Sequence, residues 1–170
     1  VIRTRRIDRQ DSLYPQAVAL REEEILRPLR LTMAEFHTIF PKVEEKLEHF
    51  VAVVDVLGKP RVIGSASLLP NDPVAGIGRM MQMAVHRQRQ REGIGTMLVA
   101  ALEKRAFGEL GLKELYTHVP VPSIGFCQSL GWQIDSDEFS EAGVPHRRMI
   151  VRAPDPGDIS SISEPDPEFD

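Results

Sequence analysis

The sequence predicts one domain of the α/β (α+β) class: a mixed sheet of six to seven strands with helices on both faces. Three observations carry that expectation. The chain has 170 residues, 42% hydrophobic and 27% charged, which suits a single core. Its apolar periodicity switches along the chain in the order strand, two helices, hairpin, strand, helix, strand, helix, strand, strand. The stretch from Gly76 to Gly111 reads as an apolar strand, a basic turn with two close glycines, and a long amphipathic helix.

Val1 to Ile7 alternates apolar and basic residues, as a half-exposed strand does. Asp11-Ser12 stands where a cap belongs, ahead of a helix from Tyr14 to about Leu29. Within it, Arg21 to Glu24 reads as a solvated face. Thr32-Met33-Ala34-Glu35 has the form of a capping box, so a short helix opens there and stops before Pro41. His37 and His49 lack partners at useful spacing and read as structural or surface residues. Phe50 to Val56 and Arg61 to Leu69 flank a Gly-containing turn and predict a hairpin. Pro70 to Pro73 is a loop.

The central strand, Arg79 to Val85, is apolar from Met80 on except at Gln82, and breaks at His86. In the helix that follows, Met97, Leu98, Ala101, Leu102 and Ala106 form one stripe, and Gly111 supplies the stop. Glu114 to Val119 predicts another strand. Ser123 is expected to cap a helix ending at Gly131, with a strand from Trp132. Phe139 to His146 reads as a turn-rich connection, and Arg147 to Val151 as the last strand.

Several classes are excluded early. No apolar run approaches the ~20 residues that span a bilayer, and no secretory leader pattern opens the sequence. The single cysteine, Cys127, permits no internal disulfide and fits a cytoplasmic protein. No Cys/His cluster has zinc spacing, so no metal is expected. The net charge of −4 comes from the acidic, Pro- and Ser-rich segment after Ala153. Without it the body has a slight positive surplus, too small to suggest nucleic-acid binding. The domain is therefore expected over residues 1–152, with residues 153–170 a disordered tail.

The chemistry concentrates at Gln90-Arg91-Glu92-Gly93-Ile94-Gly95, straight after a strand and opening a helix. Bare amides at a positive helix end suit a phosphate. It is not a P-loop, because Thr96-Met97 follows the last glycine, nor a dinucleotide fingerprint, because Leu98 stands at the third glycine. The Gln-x-x-Gly-x-Gly pattern resembles the coenzyme A loop of the GNAT superfamily of N-acetyltransferases. Phe126-Cys127-Gln128-Ser129-Leu130-Gly131-Trp132 is similar to that family's Phe-Tyr-x-x-Leu-Gly-Phe motif. The run from Phe139 through Gly143-Val144-Pro145-His146 to Met149 resembles the ending of a bacterial subgroup with poorly defined acceptors. Leu20-Arg21 and Ile25 to Leu29 resemble its first helix. The likeness runs from Ile2 to Val151.

The resemblance implies a GNAT fold, mostly antiparallel, with a splay between the fourth and fifth strands that admits the coenzyme. It implies acetyl-CoA as co-substrate and direct transfer to an amine, small-molecule or protein, by a monomer or homodimer. Gln90, Arg91, Glu92, Gly93, Ile94, Gly95 and Thr96 map onto the pyrophosphate loop, with Arg89 adding charge. Met83, Ala84 and Val85 map onto the strand whose amides polarise the thioester carbonyl. The first helix would border the acceptor cleft. Cys127 replaces the tyrosine that protonates the leaving thiolate in many relatives. Its place in a helix would lower its pKa modestly, and a small packed thiol is the plainer reading. With no carboxylate from Met80 to Met83, the base candidates are His118, His146, Glu24 and Glu141. A coenzyme A-binding sensor without turnover, and a structural protein with a docking tail, are the alternatives.

Overall fold

The protein is described by a computed structural model over residues 1–155. All but the first three residues of the expected acidic tail lie outside them. The strands are β1 (Arg3–Ile7), β2 (Glu48–Val56), β3 (Lys59–Leu69), β4 (Ile77–Val85), β5 (Glu114–Pro120), β6 (Gln133–Ile134), β7 (Phe139–Glu141) and β8 (Val144–Arg152). They form one sheet in the order β1-β2-β3-β4-β5-β8-β6, with β7 also on β8. Every pairing is antiparallel except β4 with β5. The helices are α1 (Tyr14–Arg21), α2 (Met33–Ile39), α3 (Val43–Lys46), α4 (Ile94–Glu103) and α5 (Ile124–Ser129).

The two-residue period of a strand explains the layers. In β2, Phe50 and Ala52 join the core beneath α4, with Leu98, Leu102 and Leu115. Their neighbours Val51 and Val53 face the other way and pack with Leu13, Ala17 and Leu20 of the α1 segment. A third cluster, with Met33, Phe36 and Leu69, seats α2. Gly64 lets α4 approach β3 closely: a Cβ there would lie 2.7 Å from Ile94 Cγ2.

Helical structure runs from Tyr14 to Leu29 as expected, but it widens after α1. Glu22–Leu26 form a π turn and Arg27–Leu29 a 3-10 turn. Pro28 has no N–H to give the Glu24 carbonyl, so the regular ladder cannot continue there. Asp11 does not cap this helix directly; its Oδ1 accepts from the Leu13 amide at 2.9 Å, and Leu13 occupies the cap position. Thr32 caps α2 as predicted, accepting from the Glu35 amide at 3.1 Å. Ser123 makes no side-chain cap at α5. The turn-rich connection from Phe139 to His146 is in fact a hairpin. Ala142 and Gly143 take positive φ of 51° and 73°, and β8 starts at Val144 rather than Arg147. Pro145 hid this strand in the sequence, since proline weakens a strand pattern.

Candidate functional site

Strands β4 and β5 run side by side for only three pairs, Ile77 with Glu114, Gly78 with Leu115 and Arg79 with Tyr116. Past that point they part. Thr117 Oγ1 donates to the Met80 carbonyl at 2.9 Å, taking the place of a strand partner. A cleft of about 610 Å³ opens at the fork. Its walls come from β4 (Met80 to Met83), β5 (Thr117 to Pro120), Phe126 and Cys127 of α5, the N-terminal helical segments, and Glu141 and His146 of the last hairpin.

The β4 wall is irregular. Ser67 faces Met81 and Ser65 faces Ala84, so Gln82 and Met83 lie together opposite the residue between them. This is a bulge, which twists a strand and re-aims its groups. Gln82 holds a φ of +55°, which costs a non-glycine residue roughly 1–2 kcal/mol. Its Oε1 accepts from Arg21 Nε at 3.3 Å, a contact from α1 that holds the bulge.

Next comes the glycine loop. Gln90 Nε2 donates to the Val85 carbonyl at 3.3 Å and ties the loop to the strand end. Arg91 and Gly93 both take positive φ, 67° and 80°, and α4 begins at Ile94. The first bond into that helix is from the Met97 amide to the Gly93 carbonyl, 3.1 Å. The amides of Ile94, Gly95 and Thr96 therefore precede the ladder, and no acidic side chain in the first turn offsets the helix dipole. A Cβ on Gly93 would meet nothing within 4 Å. A Cβ on Gly95 would lie 3.0 Å from the Phe126 ring and 3.8 Å from Met83 Sδ, so the helix end abuts the cleft. Arg89 and Glu92 pair at 3.3 Å across the loop.

Three of the four base candidates come together. His118 Nδ1 lies 2.9 Å from Glu141 Oε1, and His146 Nε2 lies 3.7 Å from Glu141 Oε2. The His118 hydrogen bond, aided by Arg79 and His146, holds the Glu141 carboxyl below its usual range against the effect of burial. An ionised carboxylate only accepts, so His118 Nδ1 carries the hydrogen. Arg79 Nη2, 3.2 Å from the same nitrogen, then serves Glu141 at 3.7 Å instead. The Val144 carbonyl, 2.7 Å from His146 Nδ1, likewise fixes that tautomer. In the neutral form of each ring Nε2 is then the acceptor, and the Phe139 ring packs against both. Since Tyr116 sits opposite Arg79 and Pro120 opposite His146, His146 reaches the level where the β4 edge is unpaired. Glu24 also lines the cleft but stands outside this cluster, bonded by Arg87 Nε at 3.3 Å.

Cys127 lines the cleft but is buried, and burial pushes its thiol up to about 11. The expected lowering by the helix is overturned, because desolvation disfavours the thiolate more than this short helix favours it. Neither tyrosine lines the cleft: Tyr14 bonds Glu44 and Tyr116 bonds Asp72. The reading of Arg21 as part of a solvated face is also overturned. Arg21 is wholly buried against Glu44. His49 is buried too, with Nδ1 2.8 Å from Ser67 Oγ. Sequence reasoning missed Glu44 and Arg79 as partners; no local pattern marks either, since each partner is distant in the chain.

The family model described as Acetyltransferase (GNAT) family matches residues 15–132. The Bacillus subtilis (strain 168) protein YyaT is 24% identical over 149 residues, covering 85% of this chain and 92% of its own. The uncharacterized N-acetyltransferase YjcF of the same organism is 23% identical over 145 residues, covering 85% of this chain and 96% of its own. A solved aminoglycoside 6'-N-acetyltransferase complexed with coenzyme A superposes with a TM-score of 0.71 at 16% identity, over 91% of this chain and 99% of that one.

Proposed function

The chain belongs to the GNAT acetyltransferase family, and on that premise we propose that it transfers acetyl from acetyl-CoA to a primary amine directly, in a ternary complex. One observation supports this above the others. The bare start of α4, the unpaired edge of β4 and the His146-Glu141-His118 cluster all border one cleft.

Acetyl-CoA, when bound, supplies an activated acetyl thioester. The amides from Gln90 to Thr96 would hold its pyrophosphate, with charge from Arg89 and Arg91. The open space around Gly93 fits that role. Met83, Ala84 and Val85 lie on the stretch of β4 that has no β5 partner, where backbone amides would receive the thioester carbonyl. His146 Nε2 accepts the proton that the attacking amine must shed, and the Glu141 carboxylate, held by His118 Nδ1, balances the imidazolium that forms. Cys127 packs. With no tyrosine in the cleft, the thiolate leaves unaided or takes its proton from water. That missing tyrosine is what a coenzyme A sensor without turnover would also have, but such a sensor has no use for the histidine cluster.

Titration calorimetry with acetyl-CoA, followed by thiol release with a panel of amines, tests the proposal. Micromolar binding with release for at least one amine is expected. An absence of binding overturns it at the loop, and binding without release overturns the transfer.

A further inference from the structure

We infer that the acceptor is a small primary monoamine with an apolar body, aryl or alkyl; this rests on the transferase reading above. The apolar part of the lining includes Leu29, Leu31, Phe36, Ile39 and Phe40. Ile39 is more than half exposed there. The same 610 Å³ must take the acyl end of the co-substrate, so what remains admits one small body.

The charges in the cleft narrow the class. Glu141 Oε1 is engaged by His118, but Oε2 has only His146 at 3.7 Å, beyond hydrogen-bond reach. One ionised carboxylate oxygen therefore remains for one ammonium group. Glu24, the second carboxylate in the lining, is already held by Arg87. A polycation would bring ammonium groups with no partner. A carboxylate on the acceptor fares no better. The Arg79 guanidinium lies 5.7 Å from the centres of both the Phe40 and Tyr116 rings, with its edge toward Glu141. Its charge is already balanced by Glu141 at 3.7 Å. The Thr117 hydroxyl donates to the Met80 carbonyl, and Gln82 Oε1 is taken by Arg21. The cleft thus sets one carboxylate oxygen of Glu141 against an apolar lining.

The test compares kcat/KM, by thiol release at saturating acetyl-CoA, for 2-phenylethylamine, spermidine, kanamycin and glycine. The phenylethylamine should be preferred by at least about tenfold, the scale on which apolar pockets discriminate. Ile39→Asp, at an exposed position that leaves the core intact, should raise KM for it at least about fivefold without changing acetyl-CoA affinity. Preference for spermidine, kanamycin or glycine overturns the inference while leaving the transferase reading standing. So does an Ile39→Asp enzyme with unchanged KM. Acetyl-CoA that binds without thiol release from any of the four amines overturns the inference alone, whereas acetyl-CoA that fails to bind overturns both.

Discussion

Arg21 and Glu44 meet inside the protein through two hydrogen bonds, Nη1 to Oε1 at 2.6 Å and Nη2 to Oε2 at 2.8 Å. Tyr14 Oη also donates to Glu44 Oε1, at 2.6 Å, and His49 Nε2 lies 3.3 Å away. Burial alone would raise the Glu44 carboxyl. The hydrogen bonds and charge of Arg21, with the nearby His49 ring and the Tyr14 hydroxyl, together outweigh it and hold the group far below the usual carboxylate range. The same surroundings push the Tyr14 phenol up to about 12, burial first and Glu44 second, so it remains a donor. Through Arg21 Nε and Gln82, this network reaches the β4 bulge.

Glu44→Gln is therefore expected to destabilise the protein at neutral pH by about 3–5 kcal/mol, since it leaves Arg21 buried without a counter-charge. A depressed carboxylate contributes stability that is present above its unfolded pKa, near ~4.3, and is lost as pH falls through the folded value. The gap between wild type and variant should thus narrow as pH falls below about 4. Urea unfolding at pH 7 and at pH 3 checks this; equal gaps at both would show that the charge of Glu44 does not matter.

Gly93→Asp should abolish acetyl-CoA binding by placing bulk and negative charge at the start of α4. Gly93→Ala is the control. It pays the backbone cost of φ +80°, about 1–2 kcal/mol, but meets no neighbouring atom. Calorimetry on the pair, with melting curves for each, separates a blocked site from a strained loop. Equal affinities for Gly93→Asp and wild type would remove the loop from the binding site.

Cys127→Ala should retain most turnover, within about tenfold, because a buried thiol held protonated up to about 11 fills space. In the native protein it should react with iodoacetamide far more slowly than a free thiol of pKa ~8.5. A loss above about a hundredfold in kcat, near 2.7 kcal/mol of barrier, would assign the thiol a chemical role.

His146→Ala should lower kcat by about 10² or more, the scale of lost general base catalysis. Glu141→Gln should lower kcat/KM by a factor that stays constant between about pH 6 and 9. The sign follows from the depressed Glu141 carboxyl, which is already ionised throughout that window. A factor that grows steadily across it would mean that another group, not the Glu141 charge, is being lost.

The sequence by itself determined the layers and the loop. Periodicity placed β2, β3 and α4, the box at Thr32 placed α2, and Gln90 to Gly95 marked the turn between strand and helix, because these signals lie within a few residues of one another. The last hairpin escaped, since Pro145 and the Ala142 turn do not follow strand and turn preferences. The tertiary structure alone decided what becomes of isolated polar residues. Arg21 is buried because Glu44 arrives beside it, and Glu141 joins His118 and His146 because the β7-β8 turn folds back over β5. Glu44 is distant from Arg21 in the chain, as Glu141 is from His118, and hydrogen bonds between distant residues leave no periodic trace in the order of amino acids.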